Sequence, residues 1–259
     1  MRVVIKIGTS TLAHATGHLN IRRVEEICKV ISDIKNAGNE IIMVSSGAIG
    51  MGVGKLGLAT RPADIPTKQA AAAVGQCELM YTYDKLFSEY NHTVGQLLIT
   101  GADIKNETRH QNFSNTLDRL LAMGAIPIIN ENDTVATEEI VIGDNDTLAA
   151  IVAESVKADL LILLSDIEGL YTADPHKEKN AQLIHTVTEI TDQLYALAGG
   201  GGKQGTGGMV TKLDAARICL ACSCDMVITN GNDPARLYDI IEGKPVGTRF
   251  TEKNLCTKC

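Results

Sequence analysis

Apolar residues in this chain cluster in short continuous runs, separated by glycine-containing turns and by longer segments with helical spacing. The first run, Val3-Val-Ile-Lys-Ile7, is rich in β-branched residues and ends in Gly8-Thr-Ser10. Ile21, Val24, Ile27, Ile31 and Ile34 then recur three and four apart, which is the period of one helix face, and Gly38 is placed to close that helix after Ala37. A second run, Glu40-Ile-Ile-Met-Val44, leads into Ser45-Ser-Gly-Ala-Ile-Gly50. The pattern predicts further strands at 94–99, 126–130, 160–164 and 226–229, and helices over 68–83, 108–123, 147–156 and 210–222. Strands that alternate with helices imply parallel crossovers, and runs that are continuous rather than alternating imply burial on both faces. The expected fold is therefore α/β, a three-layer sandwich with a central, mainly parallel sheet and helices on both faces. No Pro-, Ser- or charge-rich linker and no internal repeat divides the chain, so residues 1–259 are expected to form a single domain.

In such a sheet, ligands bind beyond the carboxyl ends of the strands, so the residues just after each strand locate the candidate chemistry. Lys6 and Gly8-Thr-Ser10 mark the end of the first strand, and Ser45-Ser-Gly-Ala-Ile-Gly50 the end of the second. Asn130-Glu-Asn-Asp133 and Gly143-Asp-Asn-Asp146 come next, the latter opening a helix, and Ser165-Asp166 ends a later strand. Gly199–Gly208 holds seven glycines in ten residues and runs into Met209-Val-Thr-Lys212. Composition alone reads it as a flexible connection, whereas free N–H groups ahead of a helix also make an anion cradle. Lys212 tips this toward a phosphate site, because a cation in the first turns opposes the helix dipole unless an anion compensates.

Other motifs fail on context. Gly52-Val-Gly54-Lys-Leu-Gly57 matches G-x-G-x-x-G, but it starts eight residues past its strand and runs into a loop with Pro62 and Pro66. Gly54-Lys55 is followed by leucine and Gly202-Lys203 by glutamine, so no P-loop is formed. There is no G-x-S-x-G elbow, and none of the six histidines sits in a metal-binding spacing.

Composition narrows the classes further. Hydrophobic residues at 44% and charged residues at 21% describe a globular chain. A formal charge of −7 without a basic block argues against nucleic-acid binding. No run is long enough for a membrane span, and no signal-peptide pattern opens the chain, so the expected location is cytoplasmic. Seven cysteines are then expected to remain thiols. A zinc reading would join Cys219, Cys222 and Cys224 to Cys256 and Cys259, but the structural reading of these residues is preferred.

Taken in order, Lys6-Ile-Gly-Thr-Ser10, Ser45-Ser-Gly-Ala-Ile49, Asn130-Glu-Asn-Asp133, Gly143-Asp-Asn-Asp146, Gly169-Leu-Tyr-Thr-Ala-Asp-Pro175 and Gly205-Thr-Gly-Gly-Met-Val-Thr-Lys212 resemble the amino acid kinase family over about residues 1–250. Within it the motifs look like the branch that phosphorylates the γ-carboxylate of L-glutamate with ATP and Mg2+, the entry to proline synthesis. The resemblance implies the amino acid kinase fold, with Lys6, Lys212 and Asp146 as catalytic residues, the two lysines on the transferred phosphoryl group and Asp146 orienting them. It places glutamate against Ser46, Asp133 and Asn145, with Asp133 on the ammonium and Ser46 and Asn145 on carboxylate oxygens. The nucleotide would meet Lys6, Gly8, Ser165, Asp166 and the stretch Thr206, Gly207, Gly208, Met209, Val210, Thr211 and Lys212. The resemblance further implies a homo-oligomer, at least a dimer, with feedback inhibition by L-proline. Only nine residues follow Phe250, so the C-terminal PUA domain that the family often carries is expected to be absent. Two alternatives stay open: a kinase of another small carboxylate or carbamate, and a non-catalytic amino-acid sensor.

Overall fold

The computed structural model describes residues 1–14, 18–135, 145–175, 177–178, 180–198 and 208–252. The described strands are β1 (Arg2–Ile7), β2 (Glu40–Ser45), β3 (Val94–Ile99), β4 (Ile126–Glu131), β5 (Leu160–Ser165), β6 (Thr186–Val187), β7 (Asp225–Asn230) and β8 (Thr248–Phe250). Between them run helices α1 (Thr9–Leu12), α2 (Ile21–Asn36), α3 (Ala48–Lys55), α4 (Ile65–Ser88), α5 (Gly101–Lys105), α6 (Glu107–Ala122), α7 (Asn145–Ser155), α8 (Asp192–Leu197), α9 (Met209–Ala221) and α10 (Arg236–Ile241). The strands form one sheet in the order β3-β4-β2-β1-β5-β7-β8-β6. All pairings are parallel except that of β7 with β8.

The strand sequences explain the layers. In β1, Val3, Ile5 and Ile7 pack into one core with residues of α2, α4 and α10, while Val4 points into the other with residues of α6, α7 and α9. In β5, Leu160, Ile162 and Leu164 face the first core, and Leu161 and Leu163 the second. A strand covered on both sides needs apolar residues at every position, hence the unbroken runs. Lys6 shares the parity of Val4 and so projects toward the α7 and α9 face.

Several elements differ from the sequence expectation. Each predicted strand and helix has an observed counterpart, but α1, α3, α5, α8, α10, β6 and β8 were not anticipated. Pro66, read as part of a loop, lies in the first turn of α4, where its missing N–H costs nothing; Asp64 caps that helix by accepting from the Thr67 N–H at 2.9 Å. The false dinucleotide fingerprint is largely α3, and its first glycine, Gly52, serves helix packing. A Cβ on Gly52 would lie 1.8 Å from the Ala71 carbonyl oxygen, and one on Gly75 would lie 1.7 Å from that of Ala48. The α3 and α4 backbones thus touch with no room for a side chain.

Gly75→Ala tests this contact. Alanine favours a helix interior over glycine by about 1 kcal/mol, yet here it must push two backbones apart. A net loss of about 1–3 kcal/mol or more is expected, read as a lower urea midpoint at unchanged m value.

Candidate active site

The carboxyl ends of β1, β2, β4 and β5 open into one cleft of about 410 Å³. Lys6 and Gly8 come from the end of β1, Ser46 and Gly47 from β2, Asn130 and Glu131 from β4, and Ser165 and Asp166 from β5. Asp133, Asn145 and Lys212 complete the polar lining together with Arg61. Gly47, at φ +95°, turns the chain from β2 into α3 in a left-handed conformation that suits glycine.

At the floor, Asp146 at the start of α7 is fully buried and receives two lysines on its two oxygens. Lys6 Nζ lies 2.6 Å from Oδ1, and Lys212 Nζ donates to Oδ2 at 2.9 Å. Burial alone would raise the Asp146 carboxyl, but the adjacent Lys6 and Lys212 charges and their hydrogen bonds hold it below the ordinary carboxylate value. Asp146 is thus a counter-charge to Lys212 near the α9 amino terminus. Among the described residues, two cations share this one carboxylate at the cleft floor.

The second cluster lies on the β2 and β4 side. Asn145 Nδ2 donates to the Ser45 carbonyl oxygen at 2.9 Å, to Ser46 Oγ at 2.7 Å and to Asn130 Oδ1 at 3.1 Å. A carbonyl can only accept, so the amide orientation is fixed. Asn130 is fixed in turn, since Oδ1 also accepts from the Glu131 N–H at 2.9 Å and Nδ2 donates to Gln76 Oε1 at 2.9 Å. Ser45 Oγ meets the buried Tyr83 hydroxyl at 2.9 Å, which ties the end of β2 to α4. The Asn145 amide nitrogen is thus engaged within the protein, and Oδ1 is its acceptor atom. Burial raises the Asp133 carboxyl, and the charge of Arg61 across the cleft opposes the rise.

The third group lies on the β5 side. Ser165 Oγ donates to Asp166 Oδ1 at 3.1 Å, and Asp166 is exposed at the cleft mouth. Gly208 caps α9 in an extended conformation, and the Thr211 hydroxyl donates to its carbonyl at 2.7 Å. Met209 and Val210 occupy the first turn of the same helix. Thr206 and Gly207 lie outside the described residues, as do Cys256 and Cys259. Among the described residues, no three His, Cys, Asp or Glu side chains group as a metal site, and no helix is long and apolar enough to cross a membrane. Cys219 is buried, and the Cys222 thiol donates to the Cys219 carbonyl at 3.2 Å.

Sequence reasoning did not single out Arg61, Gln76 or Tyr83. Arg61 sits in a short connection with no periodic signal. Gln76 and Tyr83 fall within a segment whose polar positions look like an ordinary helix surface.

A three-layer α/β fold, with two lysines on one buried aspartate at the sheet's carboxyl edge, defines a class of phosphoryl-transfer fold. The chain belongs to the amino acid kinase family, whose sequence pattern matches residues 1–230. Similar relatives are a glutamate 5-kinase of Listeria welshimeri, 52% identical over 97% of this chain and 93% of the relative, and one of Clostridium perfringens, 49% identical over 97% and 96%. Among solved structures, carbamate kinase from Giardia lamblia bound to AMP-PNP superposes with a TM-score of 0.69 at 16% identity, covering 96% of this chain and 98% of that one. Isopentenyl phosphate kinase from T. acidophilum superposes with a TM-score of 0.66 at 19% identity, covering 96% and 100%. At such identities these two establish the fold.

Asp146→Asn tests the buried ion triad. Removing the shared counter-charge of two nearly buried lysines is expected to cost about 3–5 kcal/mol at pH 7. The folded carboxyl titrates below its ordinary value of 3.8, so its contribution is present above that value and lost as pH falls through the lower folded one. The stability gap between wild type and variant should stay level from about pH 8 to 5 and narrow only below about pH 4, as read by urea denaturation across pH.

Proposed function

We propose that the chain is a glutamate 5-kinase, an enzyme that transfers the γ-phosphoryl group of ATP to the γ-carboxylate of L-glutamate. The products are L-glutamyl 5-phosphate and ADP, in the first step of proline biosynthesis. The observation that carries the chemistry is the convergence of Lys6 and Lys212 on buried Asp146 at the cleft floor. The substrate assignment rests on the glutamate 5-kinases that match nearly the whole chain.

The sheet order suggests the division of labour. Ser46, Asn130 and Asn145 lie on the β2 and β4 side, Ser165 and Asp166 on the β5 side, and Lys6 on β1 between them. In this reading glutamate lies over β2 and β4, the nucleotide over β5 and the amino end of α9, and transfer takes place above β1. A γ-carboxylate has a pKa near 4.3 and is already ionised at neutral pH. An oxygen of that carboxylate forms the new bond to the γ-phosphorus while the bond to the β,γ-bridging oxygen breaks and ADP departs. No proton has to be removed, which fits a cleft built from lysines and amides. The difficulty is bringing two anions together, and the two lysines placed at the cleft floor answer it. Asp146 acts through the lysines as a positioning residue.

Mg2+ is expected to arrive on ATP, where it neutralises phosphate charge. The hard oxygen donors Glu131, Asp133 and Asp166 at the cleft are compatible with contacts to it through water. L-Proline carries the same α-ammonium and α-carboxylate head as glutamate, so the reading includes competition by proline for the glutamate pocket. It also includes a homo-oligomeric assembly.

The direct test supplies Mg-ATP with L-glutamate, L-aspartate, N-acetyl-L-glutamate or UMP, and traps acyl phosphate with hydroxylamine. Hydroxamate and ADP with L-glutamate alone are the expected result. Activity with another acceptor would replace the substrate, and silence with all four would favour the sensor. Lys6→Ala and Lys212→Ala should each lower kcat about 10²–10³-fold, by analogy with loss of a preorganised donor, and near-normal turnover in either would overturn its role. Asp133→Ala should raise KM for L-glutamate and leave KM for ATP unchanged.

A further inference from the structure

The glutamate side of the cleft presents anionic and amide acceptors and neutral donors such as the Ser46 hydroxyl, where the carboxylate of a zwitterion also calls for a cation. Asn145 has committed its amide hydrogens to Ser45, Ser46 and Asn130, and so offers Oδ1. Asp133 offers carboxylate oxygens. Both suit an ammonium, and neither suits an α-carboxylate. Lys6 and Lys212 are held by Asp146 at the floor. The remaining cation among the described lining residues is Arg61. Its guanidinium has no hydrogen-bond or ion-pair partner among the described residues, and it lines the same cleft as Asp133 without pairing with it directly. The Arg61 segment is also tethered. Pro62 is its neighbour, and Asp64 caps α4 three residues on, so a short connection holds the side chain at the rim.

Resting on the glutamate reading above, we propose that Arg61 binds the α-carboxylate of the substrate while Asp133 and Asn145 Oδ1 take its α-ammonium. A planar guanidinium matches a carboxylate with two parallel hydrogen bonds. The opposed charges of Arg61 and Asp133 then form a clamp that selects free α-amino acids over acids lacking either head group. Selection by a charged partner is strong, because a substrate lacking its group leaves the protein charge facing an apolar ligand.

The test compares wild type, Arg61→Gln and Asp133→Asn with L-glutamate, 4-aminobutyrate and glutarate. 4-Aminobutyrate keeps the reacting carboxylate and the amine but lacks the α-carboxylate, and glutarate lacks the amine. Where an analogue turns over too slowly, its inhibition constant against L-glutamate is read instead. Arg61→Gln should raise KM for L-glutamate on the order of 10- to 100-fold, the worth of a charged hydrogen bond, with KM for ATP unchanged. It should abolish the preference for L-glutamate over 4-aminobutyrate and keep the preference over glutarate, whereas Asp133→Asn should do the reverse. Arg61→Lys should recover part of the loss, since it keeps the charge without the fork. Equal losses on L-glutamate and 4-aminobutyrate, unchanged kinetics, or a higher KM for ATP in Arg61→Gln would each overturn the assignment. Wild-type protein that fails to turn over L-glutamate would instead overturn the glutamate reading itself, and does so before any variant is made.

Discussion

A single buried carboxylate organises this molecule. Asp146 has no access to solvent, and such a charge is tolerated only when matched at close range. The match comes from two elements distant in sequence, Lys6 on the central strand β1 and Lys212 on α9. The requirement therefore fixes where α7 and α9 sit on the sheet. It also explains why the apolar run of β1 tolerates a lysine: Lys6 occupies the one position of its parity that has passed the hydrophobic layer and reached the carboxyl edge. The same contacts bring two cations together at the cleft floor.

The polar network beside this triad is stabilised differently. Asn145 adjoins Asp146 on the cleft side of α7, so the ion triad that holds Asp146 also places its neighbour. Asn145 then spans from β2 to Asn130 at the end of β4, and Asn130 is locked by Gln76 from α4. Every donor assignment in this chain of bonds depends on the one before, beginning with a backbone carbonyl that cannot donate. The result is an arrangement in which amides that look like generic hydrogen-bond donors present an acceptor. The glycine contact between α3 and α4 supports the same region from behind, because α3 begins directly after Ser46 and Gly47 and α4 carries Gln76 and Tyr83.

The cleft is divided by strand order. Strand order in space departs from strand order in sequence: β1 lies between β2 and β5, so the motif after β5, well over a hundred residues downstream, faces the motif after β2 across Lys6. Two anionic substrates can thus approach from opposite sides toward the one strand that ends in a cation. In a reaction whose nucleophile is already ionised, this arrangement supplies what catalysis needs, namely orientation and charge neutralisation.

Local sequence determined much of this. Continuous apolar runs such as Leu160–Leu164 can only be strands buried on both faces, and the 3.6-residue period from Ile21 to Ile34 can only bury one side of a helix, so the layered α/β class comes from short-range pattern alone. Small, amide and charged residues stand out against apolar runs, so the segments at the strand ends were legible as candidate chemistry, while the choice of Ser46, Asp133, Asn145 and Asp146 within them came from the family resemblance. Helix α3 escaped notice, since glycines at 50, 52 and 54 weaken any helical signal, and Gly52 makes sense only against the backbone of α4. Arg61 escaped because an arginine in a proline-flanked connection has no local signature. The donor and acceptor roles of Asn145 and the partner of Lys212 were likewise beyond local reading. Periodicity reports which residues avoid water, a property of each residue and its neighbours in sequence. Which hydrogen bond is already spent, and which charge already matched, depends on groups brought together from distant segments, and only the tertiary structure decides that.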